Sequence, residues 1–193
     1  MDKMIDFFNN LAPKWDEMCT HNPQKIQTLL NLIPLKKHTH ILDVGCGTGI
    51  LESFLLEYDP EKIVAVDIAE KMIEEAKKKY QDPRIAFKCT DVMALNDEQY
   101  DYILIYSAFP HFKNEEQLLQ KLDNLLKSEG KLVICHSQSR QRINAHHEAK
   151  ALEVSQTLPH AKVLAEQMSK HFSMEIIIDN EDFYMVVGKK QDE

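Results

Sequence analysis

Apolar positions recur along this chain with two different periods. Ile26, Leu29, Leu30 and Ile33 repeat at helical spacing between Pro23 and Pro34. Upstream, FFNNLAPKWDEM sets Phe7, Phe8, Leu11 and Trp15 on a similar face. Residues 1–36 are therefore expected to form a helical cover. From residue 39 the pattern changes. HILDV, KIVAVDI, RIAFKCTD, YDYILIYS and KLVICHS are short continuous apolar runs rich in Ile and Val, which suits strands buried on both faces of a parallel sheet. Helical segments alternate with them. One spans 51–58, and a second spans 70–80 with Met72, Ile73, Ala76 and Tyr80 on one face. A third spans 114–127, with a stripe of Leu118, Leu119, Leu122, Leu125 and Leu126. Asn114 is its expected N-cap, Lys127 falls in its last turn and Gly130 follows. A less apolar helical segment over 138–157 and a helix over 160–172 come next. MEIIID and DFYMVVGK close the chain as antiparallel strands joined at Asn180–Glu181.

This alternation predicts an α/β fold: a doubly wound, mostly parallel seven-stranded sheet with an antiparallel last strand. A single domain is expected over 1–193, with the helical cover at 1–36 and the core at 37–193. A helical insertion is expected near 137–160. Ligands of such sheets bind outside the carboxyl ends of the strands, at the switch point of the strand order.

Composition narrows the function. The net charge is −8, which leaves no electrostatic footprint for long nucleic acid or an anionic membrane. No apolar run approaches the ~18 residues of a membrane span. The start, MDKMIDFFNN, lacks the long apolar region of a signal peptide. Cys19, Cys46, Cys89 and Cys135 are far apart, which argues against disulfides and a zinc knuckle and for a cytoplasmic location. The chain has only 5 glycines, where ordinary usage of about 7% would give about 13 or 14. Gly45, Gly47 and Gly49 fall within five residues, so the backbone has a special requirement there.

That cluster ends the first predicted strand and opens a helix. Its glycines permit a sharp turn and close approach of a ligand, and the helix N-terminus favours a negative group. Asp67 ends the second strand, where a carboxylate can accept from two ribose hydroxyls. A nicotinamide dinucleotide loop would need glycine at position 50, which is Ile, and Asp43 would repel a pyrophosphate. Asp43 suits a cationic or ammonium-bearing ligand. A tight turn that binds nothing is the plain alternative.

These residues resemble the class I S-adenosylmethionine-dependent methyltransferases. DVGCGTG (43–49) is similar to their first motif and VAVDIAEKMI (64–73) to the acidic loop that follows. CTDVMAL (89–95), YDYILIYSAFPHF (100–112) and LLKSEGKLVI (125–134) continue the match in order, over roughly 40–188. SEG (128–130) departs from the family's usual Pro-Gly-Gly type turn. The resemblance implies a Rossmann-like fold and S-adenosyl-L-methionine as cofactor, released as S-adenosyl-L-homocysteine. It places Gly45, Cys46, Gly47 and Gly49 along the methionine part, with Asp43 near the amino group. Asp67 would hold the ribose, and Ile68 with Met72 the adenine side. Asp91 and Val92 would meet the adenine edge, Ser107 the methionine end. Trp15 holds the place of an aromatic residue that closes over the cofactor in small-molecule members, or else is a core tryptophan. The implied activity is methyl transfer to a small-molecule acceptor by in-line displacement, with a non-catalytic cofactor-binding subunit as the alternative. Ser107-Ala108-Phe109-Pro110 lacks the second proline of the amino-methylating tetrapeptide, which argues against nucleic-acid bases.

Acceptor chemistry is sought among the histidines. His111 follows the fourth strand and His136 ends the fifth, so both are expected at the mouth of the site. Arg140, Asn144 and His147 share one face of a predicted helix. One reading is a histidine base with Arg140 gripping an anionic acceptor. Another is a metal held by His111, His136 and His147, although the HExxH zinc motif is absent and no metal is expected. His146, His160 and His171 are expected to be ordinary surface residues.

Overall fold

The computed structural model describes residues 3–96, 98–151 and 153–191. Seven strands form one sheet: β1 (His40–Val44), β2 (Lys62–Asp67), β3 (Ile85–Cys89), β4 (Tyr100–Tyr106), β5 (Leu126–His136), β6 (Phe172–Asp179) and β7 (Tyr184–Lys190). Their order is β3-β2-β1-β4-β5-β7-β6. β1 pairs in parallel with β2 and β4, and the chain reverses its direction of travel across the sheet between them. That reversal is the switch point. β7 runs antiparallel to both β5 and β6, so the last strand is the antiparallel one, as its sequence position led us to expect.

Alternate residues of the strands feed two apolar layers. Leu42, Val44, Ile103 and Ile105 face a layer covered by α6 (Glu115–Leu125) and α8 (Ala161–Met168). Ile41, Ile63, Leu104 and Val133 face the other layer, covered by α3 (Pro23–Asn31) and α4 (Glu52–Leu56). The leucine stripe of α6 is buried at Leu118, Leu119, Leu122 and Leu125, and Asn114 caps its start by accepting from the Gln117 amide at 3.1 Å. α5 (Glu70–Lys79) buries Met72, Ile73 and Ala76.

The boundaries differ where tertiary pairing intervenes. α6 stops at Leu125 because Leu126 already pairs with Tyr100 across the sheet, and Lys127 forms an ion pair with Asp101 at 2.8 Å. The left-handed residue of the SEG turn is Glu129 (φ +65°), not Gly130. Gly130 is required for space, since a Cβ there would lie 2.8 Å from the Lys127 carbonyl oxygen. The insertion helix is α7 (Arg140–Lys150), shorter than expected. Asn144 explains where the chain goes next: its side chain bonds both the amide and the carbonyl of Leu158, at 2.8 and 3.1 Å, and ties that residue back to α7. The 160–172 stretch is helical only over α8, and Phe172 begins β6. No described helix is long and apolar enough to cross a membrane.

The predicted cover is a broken path: α1 (Lys3–Leu11), a 3-10 turn over Ala12–Lys14, α2 (Trp15–Met18) and α3. Its first two residues lie outside the described ones. Asn22 caps α3 with bonds from the Gln24 and Lys25 amides, and Pro23 takes the first turn, where no amide hydrogen is missed. The segment before that cap, 19–22, is therefore free of the helical path and turns over the sheet's carboxyl edge.

The close approach of β6 to β7 provides a test of the packing. A Cβ on Gly188 would sit 2.6 Å from the Phe172 Cβ, with both atoms tied to paired strands. Gly188→Ala is expected to cost about 1–3 kcal/mol in urea unfolding. An unchanged midpoint would show that the β6–β7 edge yields more than its pairing implies.

Candidate functional site

The carboxyl ends of β1, β2 and β4 open into a cavity of about 640 Å³, roofed by the cover. Its floor is the glycine loop. Gly45, Gly47 and Gly49 have φ of +73°, +54° and +84°, conformations that side chains disfavour. The amides of Gly45 and Cys46 donate to the Val66 carbonyl at 2.8 and 3.1 Å, which binds the loop to β2. A Cβ at Gly45 would strike the Ala108 Cβ at 2.7 Å. The Gly47 amide donates to Asp67 Oδ2 at 2.9 Å, while Asp67 Oδ1 accepts from the Ala69 amide at 2.8 Å. Burial raises the Asp67 carboxyl above its ordinary value, and these amide bonds oppose the rise. The loop and the acid thus form one unit on one wall.

Gly45, Gly47, Asp67, Ile68, Met72, Asp91, Val92, Ser107 and Trp15 all line this cavity. Asp91 caps the turn that carries Val92 by accepting from the Met93 amide at 2.9 Å. Ser107 takes a left-handed φ of +53° directly after β4, a kink that turns the chain across the cavity mouth.

Three expected members of the loop lie elsewhere. Gly49 is behind the wall: a Cβ would meet Tyr80 Cε2 at 2.9 Å, and the Tyr80 hydroxyl donates to the Gly49 carbonyl at 2.7 Å. Cys46 is buried among Ala65, Ile73 and Phe87. Asp43 is 2% exposed and faces the wholly buried Glu52 of α4 rather than the cavity. Burial pushes Asp43 well above the carboxylate range, and Glu52 adds to it; burial also carries Glu52 up to about 7. Two carboxyls buried together favour the protonated form, because two adjacent negative charges are costly there.

The cover is fastened at two points. Asp16 Oδ1 accepts from Thr48 Oγ1 at 2.5 Å, and its Oδ2 pairs with Lys79 at 2.7 Å. Although burial pushes Asp16 up, these bonds outweigh it and hold the carboxyl below its ordinary value. They place the Trp15 Nε1 3.9 Å from where a Gly47 Cβ would be, so Trp15 stands over the glycine loop. The second fastening was not visible in the sequence. His21 Nδ1 bonds the Tyr106 hydroxyl at 2.7 Å, and that hydroxyl bonds Ser137 Oγ at 2.7 Å. His21 lines the cavity because the helical path breaks just before Asn22, and that break is the one signal available.

The histidines divide. His111 and His147 line the cavity with ring centroids 5.2 Å apart, and Phe8 of the cover stands edge-on to His111 at 5.0 Å. His111 Nδ1 lies 2.9 Å from the Val154 carbonyl oxygen. Burial lowers the His111 imidazole; it also lowers His147, to about 4, with His111 and His146 adding to that fall. His146, expected at the surface, reaches the cavity rim. His136 does not line the cavity. It shares a sheet face with Ile134, is 1% exposed and stacks edge-on against Tyr184 at 5.8 Å. Burial drives it down to about 3. Arg140 is also elsewhere, since its Nε pairs with Asp179 Oδ2 at 3.3 Å. Among the described residues no group of three or more His, Cys, Asp or Glu is arranged to hold a metal ion. With His136 turned toward Tyr184, the three-histidine set that stood as an alternative reading does not assemble among the described residues.

Residues 42–134 match a family model described as a methyltransferase domain. Malonyl-(acyl-carrier protein) O-methyltransferase from Acetivibrio thermocellus is 34% identical over 130 residues, covering 65% of this chain and 46% of that one. A protein of the same name from Priestia megaterium is 31% identical over 154 residues, covering 70% and 56%. The chain spans about half the length of these relatives. N-methyltransferase NodS from Bradyrhizobium japonicum WM9, solved with S-adenosyl-L-homocysteine, shares the fold. Its TM-score is 0.75 at 14% identity, over 99% of this chain and 100% of that one.

The Asp16 clamp is testable by itself. Asp16→Ala removes the bonds to Thr48 and Lys79, and about 1 kcal/mol of lost closure is expected. That corresponds to roughly fivefold faster amide exchange across the cover, with the strands unaffected. Unchanged exchange would show that the cover is held by its apolar contacts alone.

Proposed function

We propose that this chain is a class I S-adenosylmethionine-dependent methyltransferase, as its matches to a methyltransferase-domain model and to O-methyltransferases support, and that it transfers the methyl group of S-adenosyl-L-methionine to a small-molecule acceptor. The observation that carries this reading is the joint wall made by the glycine loop and Asp67, whose carboxylate is held by the Gly47 amide at the floor of the cavity. The fit is supported by what a side chain would do there. A Cβ at Gly47 would project toward Trp15 and into the space a ligand would take. The volume, about 640 Å³, falls within the range of small-ligand sites.

Asp67 would hold the ribose hydroxyls, exchanging or sharing its bond to Gly47. Ile68 and Met72 would pack against the adenine, with the Asp91 carboxyl and Val92 beside its edge. The backbone at Gly45, Gly47 and Ser107 would take the methionine end, and Trp15 would close over it. When bound, this cofactor supplies a methyl group on a positively charged sulfur that is already an excellent leaving group. The protein is therefore left with alignment and the exclusion of water. Phe8, Trp15 and Met4 of the cover supply the apolar roof that excludes it. No covalent attachment to the protein is required.

Binding of S-adenosyl-L-homocysteine by calorimetry tests this. The wild-type chain is expected to bind it in preference to NAD. Asp67→Ala is expected to weaken binding by about 2 kcal/mol, roughly 30-fold, through loss of charge-assisted hydrogen bonds. Equal affinity in the variant would remove Asp67 from the ribose site.

A further inference from the structure

The wall of the cavity facing the glycine loop is built from imidazoles, and one of them has a determined proton. His111 Nδ1 lies 2.9 Å from the Val154 carbonyl oxygen. A carbonyl oxygen only accepts, so Nδ1 carries the hydrogen and Nε2 carries the lone pair. No described residue bonds Nε2, and His111 lines the cavity. Phe8 and His147 both pack against the ring and the Val154 bond holds Nδ1, so the lone pair has a set direction.

The charges around the cavity matter as much. Arg140, the cation best placed by sequence to hold an anionic acceptor, is committed to Asp179. Lys113 is the lone Lys or Arg among the described residues on the wall, and it is exposed at the rim. The other titratable groups near His111 are His147 and His146 of α7, His21 of the cover and the buried His136. Burial favours the neutral imidazole at His111. Apart from the sulfonium a bound cofactor would bring, the described side chains of the interior therefore offer a hydrogen-bond acceptor and no permanent positive charge.

Resting on the methyl-transfer reading above, we infer that the acceptor is a neutral hydroxyl or thiol that gives its proton to His111 Nε2 as it is methylated. The acceptor oxygen or sulfur forms a bond to the methyl carbon. The carbon–sulfur bond of the cofactor breaks, and its electron pair stays with the sulfur. The acceptor proton passes to Nε2, and the resulting imidazolium keeps its Nδ1 hydrogen on Val154 until water takes the Nε2 proton. A weak base suffices here, because an O–H or S–H hydrogen becomes strongly acidic as the new bond forms. A carboxylate would need no base and would set its own lone pairs against that of Nε2. An amine would arrive as an ammonium ion, which a buried imidazole is too weak a base to deprotonate beforehand.

Three measurements on the full chain test this. Long-range proton–nitrogen NMR should show His111 with hydrogen on Nδ1 and none on Nε2. With methyl-labelled cofactor, size-matched phenol, thiol, carboxylic acid and amine should be offered in turn. Label is expected in the phenol or the thiol, and the two arms say which; the acid and the amine should stay unlabelled. His111→Gln should lower kcat/KM for the labelled acceptor by about 100-fold or more, with homocysteine-product affinity within twofold of wild type. An Nε2-protonated His111, label in the acid or amine, label in neither phenol nor thiol, or a His111→Gln enzyme within a few-fold of wild type each overturns the inference. Failure of the wild-type chain to bind S-adenosyl-L-homocysteine would instead overturn the methyltransferase reading itself.

Discussion

The structure depends on a turn that has to leave the sheet at its switch point. β1 ends at Val44, with β2 on one side and β4 on the other, and the chain must rise off the carboxyl edge at once. Three positive φ values accomplish this, and the Val66 carbonyl anchors the first two amides of the turn. Everything functional is placed from that point. Gly47 brings its amide to Asp67, Gly45 lets Ala108 approach, and the exit of the turn directs α4 beneath the sheet. A glycine-poor chain concentrates three of its five glycines here because no other site has so many simultaneous demands.

Ahead of α3, the cover completes the cavity without belonging to either apolar layer of the sheet. Its small apolar contacts, Ala12 with Ala69 and Met72, are supplemented by polar ties at Asp16 and His21. The two ties reach different walls: Asp16 grips the glycine loop and α5, while His21 grips the ends of β4 and β5 through Tyr106 and Ser137. The same seven-residue stretch, 15–21, thus spans the cavity from the glycine loop to the ends of β4 and β5. Local opening of such a segment is less costly than opening a sheet, which suits a part that must admit and release ligands.

Much of this architecture was legible because its signals are local. The continuous Ile/Val runs announced a parallel sheet, and the leucine stripe with Asn114 announced α6. Asp67 was legible because position at a strand's end is enough to place it. His136 was not, because strand-end position says nothing of which face the ring takes; it shares the face of Ile134 and finds Tyr184. Arg140 was lost to Asp179, 39 residues away in sequence and adjacent only after β6 has folded. Asn144 bonds a backbone 14 residues on, so its place on a polar helix face carried no functional meaning. His21 was hidden for the opposite reason: it sits in a break between helices, and breaks have no period to read.

The buried pair beneath the glycine loop has a consequence in proton linkage. Asp43 and Glu52 are both displaced upward by burial, Glu52 to about 7, whereas an unfolded chain would release these protons near the ordinary carboxylate values of 3.8 and 4.5. Folding therefore takes up a proton across that interval. The contribution of the pair to stability is full in acid, declines as pH rises through the window up to about neutral, and is spent above it. Ion-paired carboxylates such as the partly exposed Asp82, held down to about 2 by Arg84, have the opposite slope. The carboxyl pair under the glycine loop thus makes a contribution to stability that is full in mild acid and lost toward neutrality, although neither carboxyl lines the cavity.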